Sequence, residues 1–198
     1  MSQLLDNMVG ELSRLPGIGK RTALRLSLYM LRMNPDDVLA ISRSIERFRT
    51  EIKFCSQCNN LSDNDICDIC ADTSRDRSVV CVVEQVGDVL SIENSGQYNG
   101  LYHVLGGVIS PMQGIAPSDL RIDLLLDNIA KGDIKEVILA LSTTVEGETT
   151  LFYLLRRLEQ FPSIKVTSIA RGIGFGDEIE YADELTIAHA IHNRTSLK

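Results

Sequence analysis

SVVCVVE, Ser78–Glu84, runs five apolar residues together without a polar interruption. A strand with one wet face alternates polar and apolar side chains. An unbroken run rich in valine instead reads as a strand covered on both faces, as in a parallel sheet. The segment that follows, VGDVLSIENS (86–95), reads as a helix. Three further strand–helix pairs come after it: GLYHVL (100–105) with SDLRIDLLLDNIA (118–130), EVILALS (136–142) with ETTLFYLLRRLEQ (148–160), and KVTSIA (165–170) with YADELTIAHAI (181–191). This alternation predicts an α/β body with a parallel sheet.

Ligands of such sheets meet the carboxyl ends of the strands. Glu84 closes the first strand, and Glu146 and Glu148 stand in the loop after EVILALS. Three carboxylates converging there form a candidate Mg2+ site that would polarise a phosphate. The same two loop glutamates equally suit the start of a helix, whose N-terminus favours acidic side chains. A glutamate after the first strand and an acidic pair after a later one resemble the Toprim domain, the metal-dependent core of primases and topoisomerases. Glu146-Gly147-Glu148 stands where that family carries an Asp-x-Asp pair, and no tyrosine has the sequence context of a strand-cleaving nucleophile. Past the last strand, Gly172, Gly174 and Gly176 are spaced G-x-G-x-G, which is not the dinucleotide fingerprint. Beyond them Ile179, Leu185, Ile187 and Ile191 offer apolar surface for self-association, while His189 and His192 read as helix-face residues.

Upstream of the body lies CSQCNNLSDNDICDIC, Cys55–Cys70, two C-x2-C pairs eight residues apart. A redox pair needs a helix that lowers a thiol pKa, and none fits between these pairs. Four thiolates at this spacing surround Zn2+ tetrahedrally, so Cys55, Cys58, Cys67 and Cys70 are expected to hold one structural Zn2+ per chain. All four positions belong to the protein, which leaves no place for an activated water. The intervening LSDNDI is too short and polar to pack a core, so metal is its expected source of order. Cys81, the fifth cysteine, reads as a small apolar residue of the first strand.

At the N-terminus LLDNMVGELSRLPGIGKRTALRLSLYML reads as helix, tight turn, helix. Pro16 is expected to stop the first helix. Gly17 and Gly19 are expected to supply positive φ and expose amides at the start of the second, beside Lys20. On that second helix Leu24, Leu28 and Leu31 share one side and Leu26, Met30 and Met33 nearly the opposite one, which predicts packing on both. Arg21, Arg25 and Arg32 fall within about 40° of one another between these faces. LPGIGKRTALRL resembles the helix-hairpin-helix motif, a sequence-independent binder of the DNA backbone. By that resemblance Gly17, Gly19, Lys20, Arg21 and Arg25 are the expected DNA contacts. A further helix, about Pro35 to Phe48, is expected to complete the module.

The chain of 198 residues has a net charge of −7, unevenly spread. Residues 1–53 hold nine Lys/Arg against six Asp/Glu, and the remainder eleven against twenty-one, so a polyanion should meet the N-terminal part. MSQLLDNMVGEL lacks the basic start and long apolar run of a signal peptide, and no window approaches a membrane span. A cytoplasmic chain is therefore expected, where paired cysteines point to metal before disulfides.

Taken in order, LPGIGKRTALRL, the cysteine clamp, VVCVVE, TTVEGETT and IARGIGFGDEIEYADELT resemble the RecR family of recombination mediators across almost the whole chain. The resemblance implies four segments: a helix-hairpin-helix DNA-binding module (1–53), a four-cysteine zinc finger (54–77), a Toprim-like domain (78–172) and a C-terminal oligomerisation segment (173–198). It implies a non-enzymatic protein of recombinational repair, forming rings, commonly homotetramers, around single- or double-stranded DNA. With RecO, and in some species RecF, it would help load RecA onto single-stranded DNA. Lys20, Arg21 and Arg25 would then face DNA, and the surface near Glu84, Glu146 and Glu148 would meet RecO. The alternative is a Mg2+-dependent Toprim nuclease or primase-like enzyme using those glutamates.

Overall fold

A computed structural model of the protein describes residues 2–170, 172–174 and 176–194. Arg171, Phe175 and residues 195–198 of the expected assembly segment lie outside the described residues. The chain divides into two compact units at Ile52/Lys53.

The first unit is three helices, α1 (Gln3–Leu12), α2 (Lys20–Met30) and α3 (Pro35–Glu51). α1 ends before Pro16 is reached: Ser13 caps it, its Oγ donating to Val9 O at 2.6 Å. α1 packs on α2, where Ala23 and Ser27 are buried. Leu26 and Met30 flank that face and are half-buried. The opposite side of α2 is open, with Leu28 and Leu31 exposed, so the expected packing on both sides holds for one only. A single neighbouring helix can cover about one face of another. α3 starts on strong local signals. Asn34 accepts from Asp36 N, Pro35 takes the first helical position, and Asp36 and Asp37 complement the dipole. Its apolar stripe nevertheless stays in solvent, with Ile45 67% and Phe48 62% exposed alongside Leu39 and Ile41. Within this unit α3 therefore leaves its apolar stripe uncovered.

The second unit begins with a small antiparallel pair, β1 (Lys53–Phe54) and β2 (Leu61–Ser62), and a single helical turn, α4 (Asp68–Ala71). The α/β body follows as β3 (Asp76–Val83), α5 (Val86–Ser95), β4 (Gly100–Val104), α6 (Ile122–Ala130), β5 (Glu136–Ala140), α7 (Val145–Leu158), β6 (Lys165–Ser168) and α8 (Glu184–His192). The sheet is wholly parallel in the order β4-β3-β5-β6. Both faces of β3 are covered, as its continuous apolar run requires. Val80 and Val82 join Leu105, Leu125, Ile129 and Leu154 on one side. Cys81 and Val83 join Val89, Tyr102 and Val104 on the other. Chain order places β4 on one side of β3 and β5 on the other, so the topological switch point falls between the carboxyl ends of β3 and β5.

One ion pair ties the layers of the α5 side together. Arg75 grips Glu93 at both oxygens, 2.8 and 2.5 Å, and Tyr102 Oη donates to the same carboxylate at 2.7 Å. The Arg75 guanidinium, then the Tyr102 hydroxyl, hold the Glu93 carboxyl below the ordinary carboxylate range. Glu93→Ala is expected to cost about 1–2 kcal/mol at neutral pH, because it leaves a largely buried guanidinium with only the longer contacts to Asp72 and Gly100 O. A depressed folded pKa gives stability that is present above the unfolded carboxylate value near 4.3 and lost as pH falls through the lower folded one. Urea unfolding at pH 7 should therefore separate variant from parent, and the gap should narrow below about pH 4.

Candidate metal centre and nucleic-acid interface

The two cysteine pairs are brought together by backbone hydrogen bonds that the short strands begin. Cys55 N donates to Asn60 O at 2.7 Å and Asn59 N returns to Cys55 O at 2.9 Å, closing the first knuckle. Cys67 caps α4 and Cys70 sits on it, and Cys67 N donates to Cys55 Sγ at 3.3 Å. All four Sγ atoms lie within 4.8 Å of one another, and Cys58 and Cys67 approach to 3.5 Å. Tetrahedral Zn–S bonds of about 2.3 Å require sulfurs about 3.8 Å apart, so the donor set fits zinc in number, chemistry and spacing. Hydrogen bonds from Cys58 and then Cys70 pull the Cys67 thiol down to about 2, while the contact with Cys67 pushes Cys58 up. Metal binding would expel the thiol protons of the cluster. Cys81 lies apart in the sheet, where burial pushes its thiol up to about 12.

The finger is fastened to the body by contacts that the cysteine spacing does not reveal. Val104 N of β4 donates to Cys58 O at 2.8 Å, and Asn59 Nδ2 donates to Val104 O at 2.8 Å. Asn128 Nδ2 of α6 donates to Gln57 O at 2.6 Å, and Arg77 Nη2 donates to Cys70 O at 2.9 Å. β4 is an edge strand, whose outward backbone groups would otherwise lack partners. Asn59 adopts φ +60°, a left-handed conformation that asparagine tolerates better than most residues. The pair Asn59-Asn60 was the one available signal.

In the first unit the turn between α1 and α2 holds the residues expected to meet phosphate. Gly17 has φ +81°, whereas Gly19 is extended at φ −80° because it serves as the N-cap of α2, which corrects the expectation of positive φ there. No side chain caps this end, and its first turn holds no acidic residue. Lys20 and Arg21 stand there instead, against the helix dipole. Such an end gains from an anion, which would meet free amides and both cations at once. Arg21, Arg25 and Arg32 are in no ion pair among the described residues.

At the switch point the glutamates do not converge. Glu84 Oε1 accepts from Ser142 N at 2.6 Å, tying the end of β3 to the end of β5. Glu146 and Glu148 lie in the first turn of α7 and not in a loop, so two residues put them about 200° apart around the helix. Among the described residues, the four cysteines are the only group of three or more metal-ligating side chains close enough to share an ion. The residue between the two glutamates proves to be the tightly constrained one. Gly147 is buried, its N donates to Thr144 Oγ1 at 3.1 Å, and it packs on the backbone of Ser142.

Comparison with known proteins follows the same order along the chain. Residues 5–49 match the model of the RecR helix-hairpin-helix, 52–72 that of the RecR four-cysteine zinc finger domain, 78–170 the Toprim domain, and 172–195 the RecR C-terminal model. Recombination protein RecR of Parabacteroides distasonis is 53% identical over 98% of this chain and 93% of its own length. RecR of Bacteroides thetaiotaomicron is 55% identical over 98% and 94%, and that of Flavobacterium johnsoniae 48% identical over 98% and 93%.

Proposed function

Since the chain belongs to the RecR family of recombination proteins, we propose that it acts in recombinational repair as a non-enzymatic, ring-forming, cytoplasmic mediator. It would bind DNA independently of sequence and, with RecO and in some settings RecF, help RecA onto single strands. The observation that carries the DNA part is the start of α2, a helix N-terminus with no side-chain cap, with Lys20 and Arg21 in its first turn and no acid to balance them. Local charge of this kind attracts a polyanion even in a chain of net −7. Gly17, Gly19, Lys20, Arg21 and Arg25 are the proposed contacts. The exposed stripe of α3 supports self-association, because isolated chains seldom leave so much apolar helix surface in water. Several copies would then gather their basic helices around one strand. Glu84, Glu146 and Glu148 are the proposed RecO-facing residues, and no helix among the described residues is long and apolar enough to cross a membrane.

The test is a triple substitution, Lys20→Ala, Arg21→Ala and Arg25→Ala. Loss of three phosphate contacts should lower the slope of log affinity against log salt by about 2 on single strands and weaken binding on the order of 100-fold near 0.1 M salt. Unchanged affinity and slope would remove the DNA reading and leave a scaffold that binds proteins only. Incubating the parent with DNA and Mg2+ separates mediator from nuclease: intact DNA is the expected result, and cleavage lost in Glu84→Gln would establish the enzyme instead.

A further inference from the structure

Phosphate contact does not account for one residue on the proposed DNA face of α2. Tyr29 is 64% exposed, and it lines an open groove of about 370 Å3 with Arg21, Leu24, Arg25, Leu28 and Arg32. The packed side of α2, at Ala23 and Ser27, is turned away from this groove. At 100° per residue Tyr29 lies about 40° beyond Arg25 around the helix. The rise of 1.5 Å per residue sets it about 6 Å along from Arg25, and Arg32 follows in the turn just past the end of α2. An exposed aromatic ring thus shares one groove with three arginines and two leucines. None of the three arginines has an ion-pair partner among the described residues.

We propose that Tyr29 is a stacking platform for an unpaired base, with Arg21, Arg25 and Arg32 holding the adjoining phosphates, so that α2 selects single-stranded over duplex DNA. This rests on the reading of α2 as a DNA-facing helix and specifies which form of DNA it takes. The occupant follows from the chemistry. A second protein surface packed here would bury three unpaired cations, which is costly without matching carboxylates. A nucleic-acid strand neutralises all three while offering a flat apolar face to the ring. Duplex DNA offers the phosphates, but its base faces are already covered by their neighbours. A single strand exposes them, and stacking on an aromatic side chain is tolerant of sequence. Arg32, which a backbone-only account leaves idle, then serves the nucleotide next to the stacked base.

The test uses the full chain and two variants, Tyr29→Leu and Tyr29→Phe, titrated with a mixed-sequence single strand and with a duplex of equal length. Tyr29→Leu should bind the single strand about tenfold more weakly and the duplex within about twofold of the parent. Its salt slope should not change, because no cation has been removed. Tyr29→Phe should match the parent. A 2-aminopurine base in the single strand should be quenched by the parent and by Tyr29→Phe, but not by Tyr29→Leu. If the parent binds both DNAs while Tyr29→Leu is indistinguishable from it, or weakens both equally, the stacking role is overturned and the DNA-binding reading stands. If the parent binds neither DNA, the proposed function itself fails. Should Tyr29→Leu not fold, quenching by the parent and by Tyr29→Phe decides: its absence on a bound strand refutes the platform.

Discussion

Cys67→Ser should release the zinc of the chain and unfold residues 53–71, while the core of the parallel sheet survives. The parent is expected to carry one zinc per chain by native mass spectrometry, and the variant none. The size of the effect follows from what else could order this segment. Apart from the cysteines, only Ile69 joins the finger's apolar cluster, and β1 and β2 are two residues each. Structural zinc contributes on the order of 10 kcal/mol or more in isolated fingers, far above anything such a small loop can supply. Loss should also reach the body through the four hydrogen bonds from Val104, Asn59, Asn128 and Arg77. With Cys58 O and Asn59 withdrawn, the outer edge of β4 is uncovered, and the variant should aggregate more readily. Hydrogen exchange is the decisive readout: amides of 53–71 become unprotected, that of Val104 follows, and those of β3 and β5 stay slow. Stoichiometric zinc in Cys67→Ser, or unaltered protection across the finger, would refute the four-cysteine centre. Asn59→Ala offers the milder counterpart, zinc retained and protection at Val104 lowered only in part, since it removes one of the four fastening bonds and leaves both the ligands and the bond from Val104 N to Cys58 O.

The cysteines were legible because a metal site is a local spacing rule, whereas the fastening of the finger was not, because Asn59 and Val104 are distant in sequence. The same contrast runs through the sheet. SVVCVVE announced a strand covered on both faces, and the cores on either side of β3 bear that out. Glu84 was correctly placed at a strand end, yet its partner is a backbone amide 58 residues away, and no periodicity records such a bond. TTVEGETT offers threonines and glutamates that suit either a loop or a helix start. The side chain of Thr144 decides, by accepting from Gly147 N and beginning α7 three residues ahead of the expected Glu148. Once the helix begins there, helical geometry alone prevents Glu146 and Glu148 from facing one ion. In the first unit, the apolar residues of α2 and α3 were readable as stripes. A stripe states that something covers it, but not whether the cover is another segment of the same chain.

Gly147→Ala should be a strongly damaging methyl addition in the body, and Gly87→Ala its harmless twin. Both glycines lie in the first turn of a helix that directly follows a strand of the sheet, α7 after β5 and α5 after β3. On propensity alone each substitution should stabilise its helix by up to about 1 kcal/mol. Surroundings reverse the sign at one of them. A Cβ on Gly87 would have nothing within 4 Å, whereas one on Gly147 would collide with the carbonyl oxygen and Oγ of Ser142 and lie 2.9 Å from its carbonyl carbon. Those backbone atoms cannot swing aside. Either α7 lifts from the end of β5, or the Ser142–Thr144 turn moves and the 2.6 Å bond from Ser142 N to Glu84 is lost. Overpacking of this kind costs about 1–3 kcal/mol, and the broken bond adds about 1. At about 2–4 °C per kcal/mol, the thermal transition of the body should fall by roughly 4–16 °C, while Gly87→Ala leaves it level or slightly raised. Because Glu84 and the first turn of α7 would shift together, binding to RecO should weaken in Gly147→Ala and persist in Gly87→Ala if the switch point is the partner-facing surface. Equal melting of the two variants would show that α7 does not press on β5 as closely as Gly147 requires. Full RecO affinity in a Gly147→Ala protein that has lost stability as expected would move the partner surface away from the switch point.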